Sequence, residues 1–199
     1  MARMTTKERK RQIIDQAMQI IHDQGYPALS IRELAKKVGI SEPAIYRHFT
    51  NKEEILNGIL DRMLIFGNML NEKLDEFDTA KERIMQLIML QLRFLENHPE
   101  LTAVLFYDEI FDPQPSLGEK LQLFRNSRFL ILESLINQAK SEGTVVNVRT
   151  QDLIVVILGI ISMIILEWRR RKFTFSLDDR GRGMIDSLER LIFVDSIVK

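Results

Sequence analysis

Residues 30–56 read SIRELAKKVGISEPAIYRHFTNKEEIL, and the reading of this stretch decides the fold. Ser30 stands three residues before Glu33, the spacing of a capping box, so a helix is expected from Ile31 to about residue 37. Gly39 ends it. Ser41 is placed to cap a second short helix. Pro43 is tolerated in its first turn, where the missing N–H would have no helical partner. Thr50 and Glu53 offer another capping box, opening a long helix to about Asp75. Two short helices around a glycine-containing turn have the spacing of a helix-turn-helix. With about 100° between successive residues, Ile45 and Phe49 point inward together with Ser41. Pro43 and Arg47 point directly away, and Glu42, Ala44, Tyr46 and His48 lie on the flanks. Ile31, Leu34, Ala35, Val38 and Ile40 complete a small core with the preceding helix. The outward patch belongs to a helix short enough to enter a DNA major groove.

The rest of the chain bounds what that patch can belong to. The 199 residues are 45% hydrophobic and 28% charged, enough for a substantial core and a soluble surface. There is no cysteine, which excludes disulfides, thiol chemistry and the usual ligands of structural zinc. The N-terminus, MARMTTKERKRQ, is basic but leads into no apolar signal core, so a cytoplasmic location is expected. The net charge of zero hides an asymmetry. Residues 1–52 hold 10 Lys/Arg and 5 Asp/Glu, a net of +5; residues 53–199 hold 18 and 23, a net of −5. The basic end is the expected face for a polyanion.

Apolar residues recur at helical spacing almost throughout. Ile13, Ile14, Ala17, Met18, Ile20 and Ile21 mark a first helix that Gly25 stops. Beyond the long helix, others are expected near residues 79–97, 100–110, 116–142, 151–171 and 181–197. Val145, Val146 and Val148 suggest a short extended piece, too little for a sheet. The fold class is therefore all-α, with about nine helices. We expect a helix-turn-helix DNA-binding domain over residues 1–52 and a larger helical domain for ligand binding and dimerisation over residues 53–199.

The run from Thr5 to Leu56 resembles the DNA-binding domain of the TetR/AcrR family of bacterial transcriptional regulators. Its ordered signature is a basic first helix, G-Y-x-x-x-S at Gly25–Ser30, I-x-x-L-A-x-x-x-G-I-S at Ile31–Ser41, and I-Y-x-x-F-x-x-K at Ile45–Lys52. The resemblance implies that Ser30 donates to a phosphate, and that Ser41, Glu42, Pro43 and Ala44 approach base edges. It also implies that Tyr46, His48 and Lys52 hold the phosphate backbone. Arg47 can contact a phosphate or a guanine. Glu42 can accept from a cytosine amino group or merely favour the positive end of its own helix. Tyr46 and His48 have a structural alternative, packing against the long helix.

Leu153–Leu166 reads LIVVILGIISMIIL, 14 residues without a charge, followed by Trp168 and Arg169–Lys172. At 1.5 Å per residue it covers about 21 Å, short of a bilayer core of about 30 Å, so no membrane span is expected. A helix apolar on all sides must be buried on all sides. The last helix adds a stripe of Met184, Ile185, Leu188, Leu191 and Ile192. Two such helices from each of two copies make a four-helix interface, and the resemblance implies the same homodimer. The residues assigned to it are Ile157, Ile161, Ile164, Ile165, Trp168, Ile185, Leu188 and Ile192.

The resemblance further implies a small-molecule effector in the middle helices, acting through the tilt of the long helix. Residues expected to line its pocket are Met63, Phe66, Met89, Arg93, Phe106, Tyr107, Phe124, Arg128, Met163 and Glu167, suited to a large apolar or amphipathic ligand. No catalytic residue, metal site or cofactor is expected: H-E-x-x-H, G-x-S-x-G and the phosphate loop are all missing. The expected partners are double-stranded DNA, a second copy of the chain and a small-molecule effector.

Overall fold

The computed structural model describes residues 4–105 and 115–194. Among them are nine α-helices: α1 (Thr6–Gln24), α2 (Ile31–Val38), α3 (Glu42–Tyr46), α4 (Lys52–Leu74), α5 (Ala80–Asn97), α6 (Glu100–Leu105), α7 (Pro115–Ser141), α8 (Thr150–Arg170) and α9 (Leu177–Ile192). A single 3-10 turn at Tyr26–Ala28 links α1 to α2. The only described strand-like pairing is one antiparallel bridge between Val145 and Phe193. The all-α expectation is met.

The helices start where a side chain can satisfy their first free N–H groups. Thr5 and Glu8 cap α1 reciprocally, and Thr79 and Glu82 do the same for α5. At α2, Ser30 Oγ accepts from the Glu33 amide at 3.1 Å, the forward half of the expected box. At α3, Ser41 holds the cap position without a side-chain hydrogen bond, and it is exposed rather than inward-facing. The start of α4 lies one residue beyond the expected position. Asn51 Oδ1, not Thr50, accepts from the Glu54 amide at 2.8 Å, and Glu54 takes the Thr50 amide at 2.6 Å. Those two Thr50 donors, amide first and then hydroxyl, hold the Glu54 carboxyl below the usual carboxylate range. Asn is a somewhat better N-cap than Thr, in keeping with the position the structure uses.

Two compact units arise. Of the described residues, the first comprises 4–65, 99–105 and 115–123, the second 66–98 and 124–194. In the first, Ile13, Ala17, Ile20 and Ile21 of α1, Leu34 of α2, Ile45 of α3 and Ile55, Leu56 and Ile59 of α4 are all at most 4% exposed. Arg62 of α4 pairs with Asp15 of α1 in this core. Gly58 lets α4 approach α1: a Cβ there would lie 2.7 Å from Ile14 Cδ1.

In the second unit, α5 packs on α9 and α8 on α9. The helix expected at 181–197 runs instead from Leu177 to Ile192. The Gly-Arg-Gly of residues 181–183 looks like a helix boundary in sequence. It lies inside α9 because α5 passes so close that a Cβ on Gly181 would meet Leu92 Cδ1 at 2.7 Å and Met89 Sδ at 3.0 Å. α9 ends early because Phe193 turns into the bridge with Val145. Ser176 Oγ caps α9 through the Asp179 amide, while Glu96 of α5 takes the Leu177 and Asp178 amides at 3.0 and 3.1 Å. At the end of α8, Lys172 and Phe173 adopt left-handed φ values of 53° and 62°. Trp168 Nε1 donates to the Phe175 carbonyl at 2.7 Å, and the Phe173 ring sits edge-on to the Trp168 ring, which holds this unusual turn.

The full α8 helix is 21 residues, long and apolar enough by composition to cross a membrane. The length argument made from the 14-residue run therefore does not carry over. Packing replaces it: Leu153, Ile154, Ile157, Ile161, Ile164, Ile165 and Trp168 are buried within the protomer. Replacing Asn51 by Ala is expected to lower stability by about 1 kcal/mol, while Asn51→Asp retains it within about 0.5 kcal/mol. Urea unfolding midpoints of the two variants check this.

Candidate nucleic-acid interface

α3 is five residues long, too short to be stable by its own hydrogen bonds. Ile45 at 0% and Phe49 at 3% exposure hold it against the first unit's core. With those two side chains turned in, Glu42, Pro43, Tyr46 and Arg47 are turned out, and Tyr46 is 51% exposed. Ala44 is half-buried on the flank. Pro43 occupies the first turn without a lost hydrogen bond, as expected. The outward edge read from helical spacing is the outward edge of the structure, with Ser41 added to it.

The groups beside this edge are also ordered. Ser30 is exposed, and because its Oγ accepts from Glu33 its hydroxyl proton is left to donate outward. Lys52 stands in the first turn of α4, its ammonium 3.9 Å from the centroid of the Tyr26 ring. Sequence reasoning did not foresee this cation–π contact; its signal is the tyrosine of Gly25–Tyr26, now seen to support the lysine. Lys10 of α1 is 3.6 Å from Glu54 and lies over the Phe49 ring. His48 is half-buried, and its Nδ1 is buried without a hydrogen-bond partner, so it meets the packing alternative part-way. No group of three or more His, Cys, Asp or Glu side chains placed to hold a metal ion occurs among the described residues.

The profile described as "Bacterial regulatory proteins, tetR family" matches residues 13–59, which span most of α1, all of α2 and α3 and the first turns of α4. The nucleoid occlusion factor SlmA of Vibrio atlanticus (strain LGP32) is 31% identical over 143 residues, covering 70% of this chain and 73% of the relative. The chain belongs to the TetR family of bacterial regulatory proteins. Solved TetR-like structures share the fold over nearly the whole length. The ketosteroid transcriptional regulator KstR2 of Mycobacterium tuberculosis superposes with a TM-score of 0.82 at 18% identity, covering 94% of this chain and 96% of its own. The transcriptional regulator FadR of Bacillus subtilis, in complex with stearoyl-CoA, does so with a TM-score of 0.74 at 23% identity, covering 90% and 96%.

Away from α3 the TetR-family fold places the expected residues less simply. Of those assigned to a dimer interface, Ile157, Ile161, Ile164, Ile165, Trp168, Leu188 and Ile192 are at most 6% exposed inside the protomer, and Ile185 is half-buried. They belong to the second unit's own core. The exposed apolar residues are on the opposite side of the same helices: Val155 at 68%, Met163 at 63% and Leu191 at 68%, with Val156 and Leu166. A groove of about 440 Å³ on this face is lined by Val155, Val156, Gly159, Ile160 and Met163 of α8 and Met184 of α9, among others. Apolar content cannot say which half of an all-apolar helix faces home.

The residues expected to line one pocket fall into separate sets. Met163 and Glu167 line the surface groove, and Glu167 pairs with Arg171 at 2.9 Å. Arg93 is committed to Asp178 at 2.5 Å. Met63 is buried in the first unit, while Phe66, Met89, Phe124 and Arg128 belong to the second. Phe106 and Tyr107 lie outside the described residues.

The Tyr26–Lys52 contact and the exposed Tyr46 generate a paired expectation. Lys52→Ala weakens binding to every DNA sequence and reduces the slope of log affinity against log salt by about 0.9, one phosphate contact. Tyr46→Ala weakens binding with a nearly unchanged slope, because no cation is lost. Fluorescence anisotropy titrations at several salt concentrations check both.

Proposed function

We propose that this TetR-family chain is a homodimeric, sequence-specific DNA-binding repressor, released from a near-palindromic operator by a large apolar or amphipathic effector. The observation that carries the reading is the exposed Pro43–Arg47 edge of a helix whose opposite side is locked by Ile45 and Phe49. In this reading residues 1–52 read DNA, and residues 53–199 bind the effector and dimerise in the cytoplasm. Ser41, Glu42, Pro43 and Ala44 approach base edges. Ser30, Tyr46, His48 and Lys52 position the protein on phosphates, and Arg47 contacts a phosphate or a guanine.

The dimer forms through Val155, Val156, Ile160, Met163, Met184 and Leu191, the face left uncovered on α8 and α9. A patch of that character is costly in water and supports a partner helix pair. Two copies related by a twofold axis would present two recognition helices about 34–36 Å apart. The effector must bind the DNA-incompetent form more tightly; a coupling of about 1–3 kcal/mol changes operator affinity roughly 5–150-fold. The stearoyl-CoA bound by the Bacillus subtilis FadR structure supports an amphipathic ligand.

A second reading has its own support, the 31% identity to a nucleoid occlusion factor. In it the chain binds DNA in an architectural or division-control role without an effector.

Selection of bound DNA from a random pool tests the first reading: a two-half-site consensus is expected, and an unenriched pool defeats it. Loss of that DNA on titration with acyl-CoA or fatty-acid probes separates it from the second. The interface is checked by a pair of charges. Met163→Asp gives a folded monomer by sedimentation and circular dichroism. Ile161→Asp, at a position 3% exposed, destabilises the protomer itself by several kcal/mol.

A further inference from the structure

Arg128 of α7 is half-buried in the second unit, and its guanidinium is only partly satisfied. Its Nη2 donates to Gln91 Oε1 of α5 at 2.9 Å. Its Nη1 is buried and has no hydrogen-bond partner. No carboxylate among the described residues pairs with it, and burial pushes the guanidinium pKa down from its ordinary value. A guanidinium nevertheless stays charged, and a buried charge with only a neutral amide for company is costly to keep. Elsewhere in the chain a carboxylate stands opposite: Asp15 faces Arg62, whose pKa burial also lowers, and Asp178 faces the exposed Arg93.

Helical spacing places aromatic residues one turn from Arg128 and from Gln91. Phe124 precedes it by one turn on the same face of α7 and approaches α4, where a Cβ on Gly67 would sit 3.5 Å from its ring. Phe66, next to Gly67, stacks on Phe94, one turn beyond Gln91. On α4, Asn71 lies one turn past Gly67, and its Oδ1 is also buried without a partner. An apolar wall beside an unanswered planar cation fits a ligand with a hydrocarbon body and an oxyanion head, which accepts two parallel N–H bonds from a guanidinium.

We propose that Arg128 anchors the oxyanion head, carboxylate or phosphate, of an amphipathic ligand whose apolar body lies against Phe124, Phe66 and Phe94. The proposal rests on the effector reading above and adds the charge and chemistry of the head group. It also makes Arg128 the positioning residue in place of Arg93, which Asp178 already occupies.

Calorimetric titration of the full chain with dodecanoate, dodecyl phosphate, dodecanoyl-CoA and neutral 1-dodecanol tests it. The wild-type chain is expected to bind at least one anionic probe about tenfold or more tighter than 1-dodecanol. The tightest of the three identifies the head. Arg128→Gln abolishes that preference while leaving 1-dodecanol binding within about twofold, and Arg128→Lys keeps part of it. Equal wild-type affinity for anionic and neutral probes, no binding of any probe, or an Arg128→Gln chain that keeps the preference each overturns the proposal. The wild-type head-group comparison decides the matter even where Arg128→Gln does not fold. Operator retention is measured in parallel. An anionic probe that binds through Arg128 but leaves DNA bound sustains the anchor and defeats effector-driven release.

Discussion

A helix of five residues has almost no stability of its own, and everything at the candidate DNA interface follows from how α3 is held. Ile45 and Phe49 are the two attachments, both within the core made by α1, α2 and the start of α4. Their burial fixes the rotation of the helix about its axis. That rotation in turn sends Pro43, Tyr46 and Arg47 outward. Specificity in such a site depends on rigid placement of short side chains. The core of the first unit supplies the rigidity, while residues that touch no core supply the chemistry. Lys52 follows the same logic from the neighbouring helix, its flexible stem steadied by the face of Tyr26.

This part of the molecule was legible in the sequence because each local signal agreed with the next. Ser30, Gly39, Pro43 and the spacing of Ile45 to Phe49 all describe one arrangement, and the structure has it. The capping position at α4 was misjudged by one residue because Thr50 and Asn51 are both competent acceptors. The distal helices were harder to read for a different reason. α9 carries Gly181 and Gly183, and glycine in sequence signals a boundary unless something presses close enough to require it. The pressing groups are Leu92 and Met89, some 90 residues away in the chain, and no local pattern contains them.

α8 shows where hydrophobic periodicity stops informing. When nearly every position is apolar, the pattern does not say which side meets which neighbour. Ile157, Ile161 and Ile164 face the protomer's own core, and Val155 and Met163 face out. The partners of the charged groups were similarly illegible. Arg93 and Arg128 look alike in sequence, yet one is answered by Asp178 and the other only by Gln91.

Glu96 reaches from α5 to take two backbone amides at the start of α9, and Gly181 lets the same two helices touch four residues later. Together they act as a peg and a notch. α9 can neither slide along α5 nor rotate on it without leaving two amides and a carboxylate unpaired. Evolutionary drift in the outward half of α9 is then free to retune what the protein meets, while the inward half is pinned by residues far off in the chain. In a set of relatives, the acceptor at position 96 and the glycine at position 181 should be kept or lost together, whereas position 177, which gives Glu96 only its backbone N–H, is held by burial.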